Sequence, residues 1–226
     1  MRNGWLIFRR QLQDTPKNRT VLIQFVLFPA LTLLMNSAVK IEGMPKNFFV
    51  TLFATMYVGM APLTATAAII AEEKEKNTLR VLMFSGVRPQ EYLAGVGGYV
   101  LLLCMAGAGI LCAAGEYTAP QRTGFLAVMA AGILVSILLG GAIGVASPSQ
   151  MTATSVTVPV MLLLAFAPML SIFNARVDAV AQYLYSGQVS RMLADGAKGV
   201  GVLIFAANLL AAAGLFAAAY KRSKLA

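Results

Sequence analysis

The chain has 226 residues, of which 58% are hydrophobic and only 12% charged, and its mean hydropathy is +0.74. Soluble domains carry about 25% charged residues, so a soluble enzyme or binding module is excluded. The net charge of +9 calls for anionic surroundings, which lipid headgroups supply, and nucleic-acid binding is not needed to explain it. The fold class is all-α: a polytopic membrane protein, one transmembrane domain over residues 1–226, with apolar runs long enough to cross a hydrocarbon core of about 30 Å.

Residues 1–16 read as a helix lying in the membrane interface. Trp5, Phe8 and Leu12 fall at i, i+3, i+7, with Arg2, Arg9 and Gln13 elsewhere around the helix, and Pro16 ends it. Gln11, Gln13, Asp14 and Lys17 interrupt any early apolar region, so a cleavable signal peptide is not expected. A flexible basic tail is the other reading of this segment.

Six spans follow, at about 21–39, 48–70, 92–112, 124–146, 154–173 and 200–220. Pro29, Pro62, Pro159 and Pro168 lie within the first, second and fifth, and each removes a backbone hydrogen bond and can kink its helix. The third and fourth are rich in Gly and Ala. Gly140 and Gly144 form a small-xxx-small pair that lets two helix backbones approach closely, unless they only fill a lipid-facing surface. Cys104 and Cys112, in the third span, read as small apolar filler, with no metal-ligand spacing around them.

Twelve basic residues fall on the side holding the termini and the loop after the second span, against six on the other side. The positive-inside rule places both termini and that loop in the cytoplasm of a cell-membrane protein. The spans hold no Asp, Glu, Lys or Arg in their interiors, and the chain has no histidine. Ion-coupled carriers use such groups to bind the driving ion, so energy is expected from outside the membrane, although backbone carbonyls can still bind sodium. The chain carries no phosphate loop: Gly196-Ala197-Lys198-Gly199 lacks the spacing and the Ser/Thr that would hold magnesium.

Residues 72–91 are the densest charge cluster and read as a cytoplasmic helix. Glu72, Glu75 and Leu79 share one helical face, Glu72 and Lys76 form an i,i+4 pair, and Glu73 and Glu75 are expected to be exposed. Residues 174–198 form a long polar loop on the outer side, with Arg176, Asp178, Tyr183, Tyr185, Arg191 and Asp195. There Val177, Ala181 and Leu184 keep helical spacing, and Ser186-Gly187 is the expected break.

The run Glu73-Lys74-Glu75-Lys76-Asn77-Thr78-Leu79, then Leu82 and Val87-Arg88-Pro89-Gln90-Glu91-Tyr92, resembles the cytoplasmic-loop signature of type-2 ATP-binding-cassette (ABC) exporter permeases. The interfacial helix, six spans, internal termini and long outer loop resemble that family too. Asn77 stands where Gly is usual and Gly86 where Pro is usual, but Asn tolerates left-handed backbone, so the same turn is available.

The resemblance implies a non-catalytic permease subunit that couples to cytoplasmic ATPase subunits through Glu72, Glu73, Lys74, Glu75, Lys76, Asn77, Thr78 and Leu79. ATP and magnesium would be bound by the ATPase and no cofactor by this chain. A second permease copy or a sister permease, together with membrane lipids, completes the expected partners. The resemblance also implies short re-entrant helices as an outer cap, with Tyr183, Tyr185 and Arg191, and a route or gate near Pro29, Pro62, Pro159 and Pro168. A solvated connector and a plain outer loop are the competing readings of the two segments. For the whole chain, a secondary carrier or channel working without an ATPase is the alternative. The substrate stays open between a peptide antibiotic, a lipid-linked molecule, a drug and an ion.

Overall fold

The computed structural model describes residues 2–14, 19–39, 43 and 45–223. Among these the chain is helical throughout, with no strand: α1 Arg2–Asp14, α2 Arg19–Ala38, α3 Phe48–Glu75, α4 Thr78–Phe84, α5 Pro89–Ala114, α6 Ala119–Ala146, α7 Gln150–Ser171, α8 Ala175–Ala181, α9 Tyr185–Asp195 and α10 Gly199–Arg222. Among the described residues, α3, α5 from Glu91, α6, α7 and α10 are long and apolar enough to cross a membrane. In α2 the apolar stretch Ile23–Ala38 is shorter. Pro16, the expected stop for α1, lies outside the described residues.

The breaks between helices follow from local chemistry. Asn77 adopts φ 58 and Gly86 φ 82, the left-handed conformation that Asn and Gly enter most readily, so α4 is set off from α3 and α5. Pro89 opens α5, where its missing N–H costs nothing. At α6, Gln121 reaches back to the backbone N–H of Thr118 at 2.9 Å, and at α7 the Ser149 hydroxyl accepts from the Thr152 N–H at 3.3 Å, each satisfying a donor the helix cannot pair.

The helices run alternately between two ends. The motif end gathers the end of α3, the starts of α5 and α7, and the ends of α6 and α10. The far end gathers the start of α3, the α5–α6 turn, the end of α7, and α8 and α9. Helix α3 is the axis, packed against α2, α5, α6, α7 and α9, with Tyr57, Leu63 and Ile70 fully buried.

Its tightest neighbour is α6, through a stripe of small residues at every fourth position. A side chain on Gly140 would collide with the carbonyl oxygen of Leu63, and one on Gly144 would lie 2.9 Å from that of Ala67. In the same stripe the Ser136 hydroxyl donates to the Val58 carbonyl at 2.6 Å. The Gly140/Gly144 pair therefore serves close helix packing. Helix α10 is the opposite case: it leans on α6 and α9 and only Ala212 is fully buried, leaving an apolar surface suited to lipid.

Candidate functional site

At 1.5 Å per residue the 28-residue α3 is about 42 Å long, longer than a hydrocarbon core of about 30 Å. Its last turn, starting at Glu72, therefore projects beyond the apolar run. Glu72 pairs with Lys76 at 2.5 Å, as the spacing predicts. Glu73 departs from expectation. It is 9% exposed; one carboxylate oxygen accepts the Tyr92 hydroxyl at 2.6 Å and the other the Gln11 side-chain amide at 2.9 Å.

The physical reason is that α1 and the start of α5 close over the end of α3. Two glycines make this possible. A side chain on Gly4 would lie 2.9 Å from the Glu91 carbonyl oxygen, and one on Gly95 would lie 2.8 Å from that of Gly4. The face of α1 turned to α5 thus carries Gly4 and Ile7, with Phe8 half-buried. Trp5, expected on the apolar face with Phe8 and Leu12, is 63% exposed, its ring stacked 5.3 Å from that of Phe8. Burial pushes the Glu73 carboxyl above its ordinary range, while the Tyr92 hydroxyl, the charge of Arg10 and Gln11 pull it back.

The next two residues also reach the ends of other helices, although Glu75 itself stays exposed, as expected. Lys74 donates its ammonium to the Val145 carbonyl at 2.5 Å, in the last turn of α6. The Glu75 carboxylate accepts the backbone N–H of Gln150, the first residue of α7, at 2.8 Å. A cation at a helix C-terminus and an anion at a helix N-terminus both complement the helix dipole and satisfy backbone groups that the helix leaves unpaired. Three consecutive side chains thus tie the end of α3 to α1 and α5, to α6 and to α7.

Leu79 does not continue the face of Glu72 and Glu75, because the helix breaks at Lys76 and Asn77. It is instead 1% exposed, the anchor of α4, with Leu82 half-buried beside it. Thr78 is half-buried. The opposite face of α4 presents Arg80, Val81 and Phe84 to the outside, Phe84 at 83% exposure. Sequence reasoning passed over these three. Their signal was the spacing of Val81 and Phe84 at i, i+3, out of phase with Leu79 and Leu82.

At the far end, α8 and α9 form a short hairpin. Its turn falls at Gln182 to Leu184, and Ser186 and Gly187, expected to break the helix, lie in the first turn of α9. The reason is steric: Gly187 sits against the carbonyl oxygen of Ala181, where a side chain would collide, and Gln188 donates to the Gln182 carbonyl. Tyr185 is buried in the bundle, its hydroxyl 2.7 Å from that of Ser136. Tyr183 is exposed, and Arg191 bonds Asp178 of α8 at 2.7 Å.

Beside α9 lies a cavity of about 880 Å³, bounded by the start of α3, the start of α6 and the end of α7, with Asn47, Thr51, Glu116, Pro168 and Asp195 in its lining. Pro168 is thus at a cavity wall. Pro29 and Pro62 are buried in helix packing, and Pro159 is exposed on α7.

Residues 14–219 match the family described as ABC-2 family transporter protein. The chain belongs to that family. It is an ABC-2 permease, a membrane component of ABC transporters and not a catalytic subunit, and the family normally pairs with an ABC ATPase subunit. No curated protein matches the chain.

Proposed function

We propose that this ABC-2 permease forms the translocation route of an exporter, driven by a separate cytoplasmic ATPase that docks on α4. In this reading α2 completes six spans at about 21–39, 48–70, 92–112, 124–146, 154–173 and 200–220. Both termini and the 72–91 loop are cytoplasmic, α1 lies in the interface, and two permease copies, or this chain and a sister permease, assemble in a cell membrane. ATP and magnesium are bound by the ATPase. The α8–α9 hairpin with Tyr183, Tyr185 and Arg191 caps the outer side, and the cavity beside it, which Pro168 lines, is the outer mouth of the route.

The observation that carries the reading is the division of labour around Asn77. The outward face of α4 offers Arg80, Val81 and Phe84, while Glu73, Lys74 and Glu75 bind the end of α3 to four other helices. A push on α4 is therefore delivered to the whole bundle and not to one loop. Within residues 72–79, the direct docking role passes from the carboxylates to the surface that Lys76, Asn77 and α4 leave open, and Glu73 to Glu75 transmit.

The test is the double variant Val81→Asp/Phe84→Asp in the full chain, co-expressed with its ATPase. Exposed substitutions change stability by about 0.5 kcal/mol or less, so the variant should reach the membrane and melt like the parent. Two carboxylates in place of apolar anchors should abolish ATPase co-purification. Normal co-purification and normal substrate-stimulated hydrolysis would place the docking surface elsewhere. Gradient-driven transport by the purified permease alone would favour a carrier.

A further inference from the structure

A second cavity, of about 990 Å³, opens on the outside of the bundle, over α6 and between α5 and α10. Its walls are apolar: Leu93, Gly97 and Leu101 from α5, Leu138 from α6 and Phe216 from α10. Gly141 lies beneath the point where Phe216 and Leu93 converge, with both side chains in close contact with the space its Cβ would fill. Among the described residues the only cationic lining residues are Arg88 and Lys221, and both are at the motif end, one just before α5 and the other in the last turn of α10. Neither forms an ion pair among the described residues; the nearby Glu91 accepts the Arg88 backbone N–H at 3.3 Å.

The dimensions suit one leaflet. From Arg88 to Leu101 along α5, and from Lys221 to Leu209 along α10, the groove runs for about 18–20 Å at the rise of an α-helix. Half of a hydrocarbon core is about 15 Å, so a chain lying in this groove with its headgroup at the two cations spans one leaflet and its interface. An apolar trough that opens sideways from the bundle, with positive charge confined to its interfacial end, is complementary to an amphiphile with an anionic head. A soluble anion would find charge at one end only and no polar partners along the rest.

We propose that the α5–α6–α10 groove is a binding site for an anionic phospholipid, its acyl chains along Leu93, Leu101 and Phe216 and its phosphate between Arg88 and Lys221. Assigning it to the cytoplasmic leaflet rests on the orientation proposed above. Lipid binding itself needs neither that orientation nor an ATPase, so the two readings fail separately.

The test is native mass spectrometry of the full chain in detergent, titrated with phosphatidylglycerol or with phosphatidylcholine of the same acyl chains. The parent should prefer phosphatidylglycerol by on the order of tenfold, given what two basic residues contribute at a membrane surface. The variant Arg88→Gln/Lys221→Gln should lose that preference, and Arg88→Lys/Lys221→Arg should keep it, which separates lost charge from lost fold. Ala217→Phe, which fills the groove while leaving both cations, should weaken binding of both lipids. Equal binding of the two lipids by the parent, or an unchanged preference in the Gln variant, would overturn the proposal. So would displacement of phosphatidylglycerol by an equal concentration of glycerol 3-phosphate, which would assign the cations to a soluble phosphate.

Discussion

At the motif end of the bundle, ionisable side chains hold helix to helix: Glu73 to Tyr92 and Gln11, Lys74 to the last turn of α6, Glu75 to the first turn of α7. At the far end, apart from the exposed Arg191–Asp178 pair between α8 and α9, the same task falls to neutral groups and close packing. Tyr185 meets Ser136, the Asn36 amide donates to the Ala114 carbonyl at 2.7 Å, the Asn47 side chain accepts the Glu116 N–H at 2.8 Å, and Gly187 lets α9 press on α8. The two ends therefore differ in how their contacts are distributed. Contacts of charge with helix ends are directional and engage several helices through adjacent residues of one turn, whereas the far end spreads its contacts over residues remote in sequence.

The comparison breaks most sharply at Glu73. A buried carboxylate with two hydrogen-bond partners becomes, in Glu73→Lys, an ammonium facing the Tyr92 hydroxyl in the neighbourhood of Arg10. Uncompensated buried charge costs about 3–5 kcal/mol, enough to lower membrane yield and the melting temperature in detergent. Glu73→Gln keeps an oxygen for Tyr92 and should recover much of the loss. If Glu73→Lys melts with the parent, the motif end is not held by this contact, and the contrast between the two ends disappears.

The far end should yield at Gly187. Gly187→Ala drives a methyl group into the Ala181 carbonyl, and overpacking of this kind costs about 1–3 kcal/mol. Gly199→Ala is the control, because nothing lies within 4 Å of the methyl it would add. Limited proteolysis should open the 174–198 segment in the first variant and not in the second. Equal protease resistance in both would show that the α8–α9 turn tolerates spreading.

What was legible in the sequence was what depends on one-dimensional pattern: apolar runs long enough to span, the Gly140/Gly144 contact, the Glu72–Lys76 pair and the left-handed turn at Asn77. The burial of Glu73 and the contacts of Lys74 and Glu75 with other helices were not legible, because they depend on partners up to 75 positions away and on the closeness that Gly4 and Gly95 permit. A charge cluster in an apolar chain looks like a solvated face until the ends of the other helices are placed around it. The same limit applies to Tyr185, whose aromatic and polar character suits an interface and a buried hydrogen bond equally, and only the position of Ser136 on α6 decides between them.

The smallest expected effect compares one ionic contact from each end. Arg191 and Asp178 are bonded at 2.7 Å, but their side chains are 42% and 45% exposed, and exposed pairs contribute about 0–1 kcal/mol. Glu75 is also exposed, yet it bonds a backbone N–H at the start of α7, where a charge on the helix dipole contributes about 0.3–1 kcal/mol and the hydrogen bond satisfies a group that has no partner within the helix. Arg191→Ala should therefore lower the melting temperature by little, and the difference from the parent should vanish in about 1 M salt, where the screening length falls to about 3 Å. Glu75→Gln keeps an acceptor oxygen for Gln150, so only its charge term should respond to salt, while Glu75→Ala, which removes the acceptor as well, should leave a deficit that salt does not erase. A salt-resistant loss in Arg191→Ala, or a salt-erased one in Glu75→Ala, would mean that the two ends are held by the same kind of contact after all.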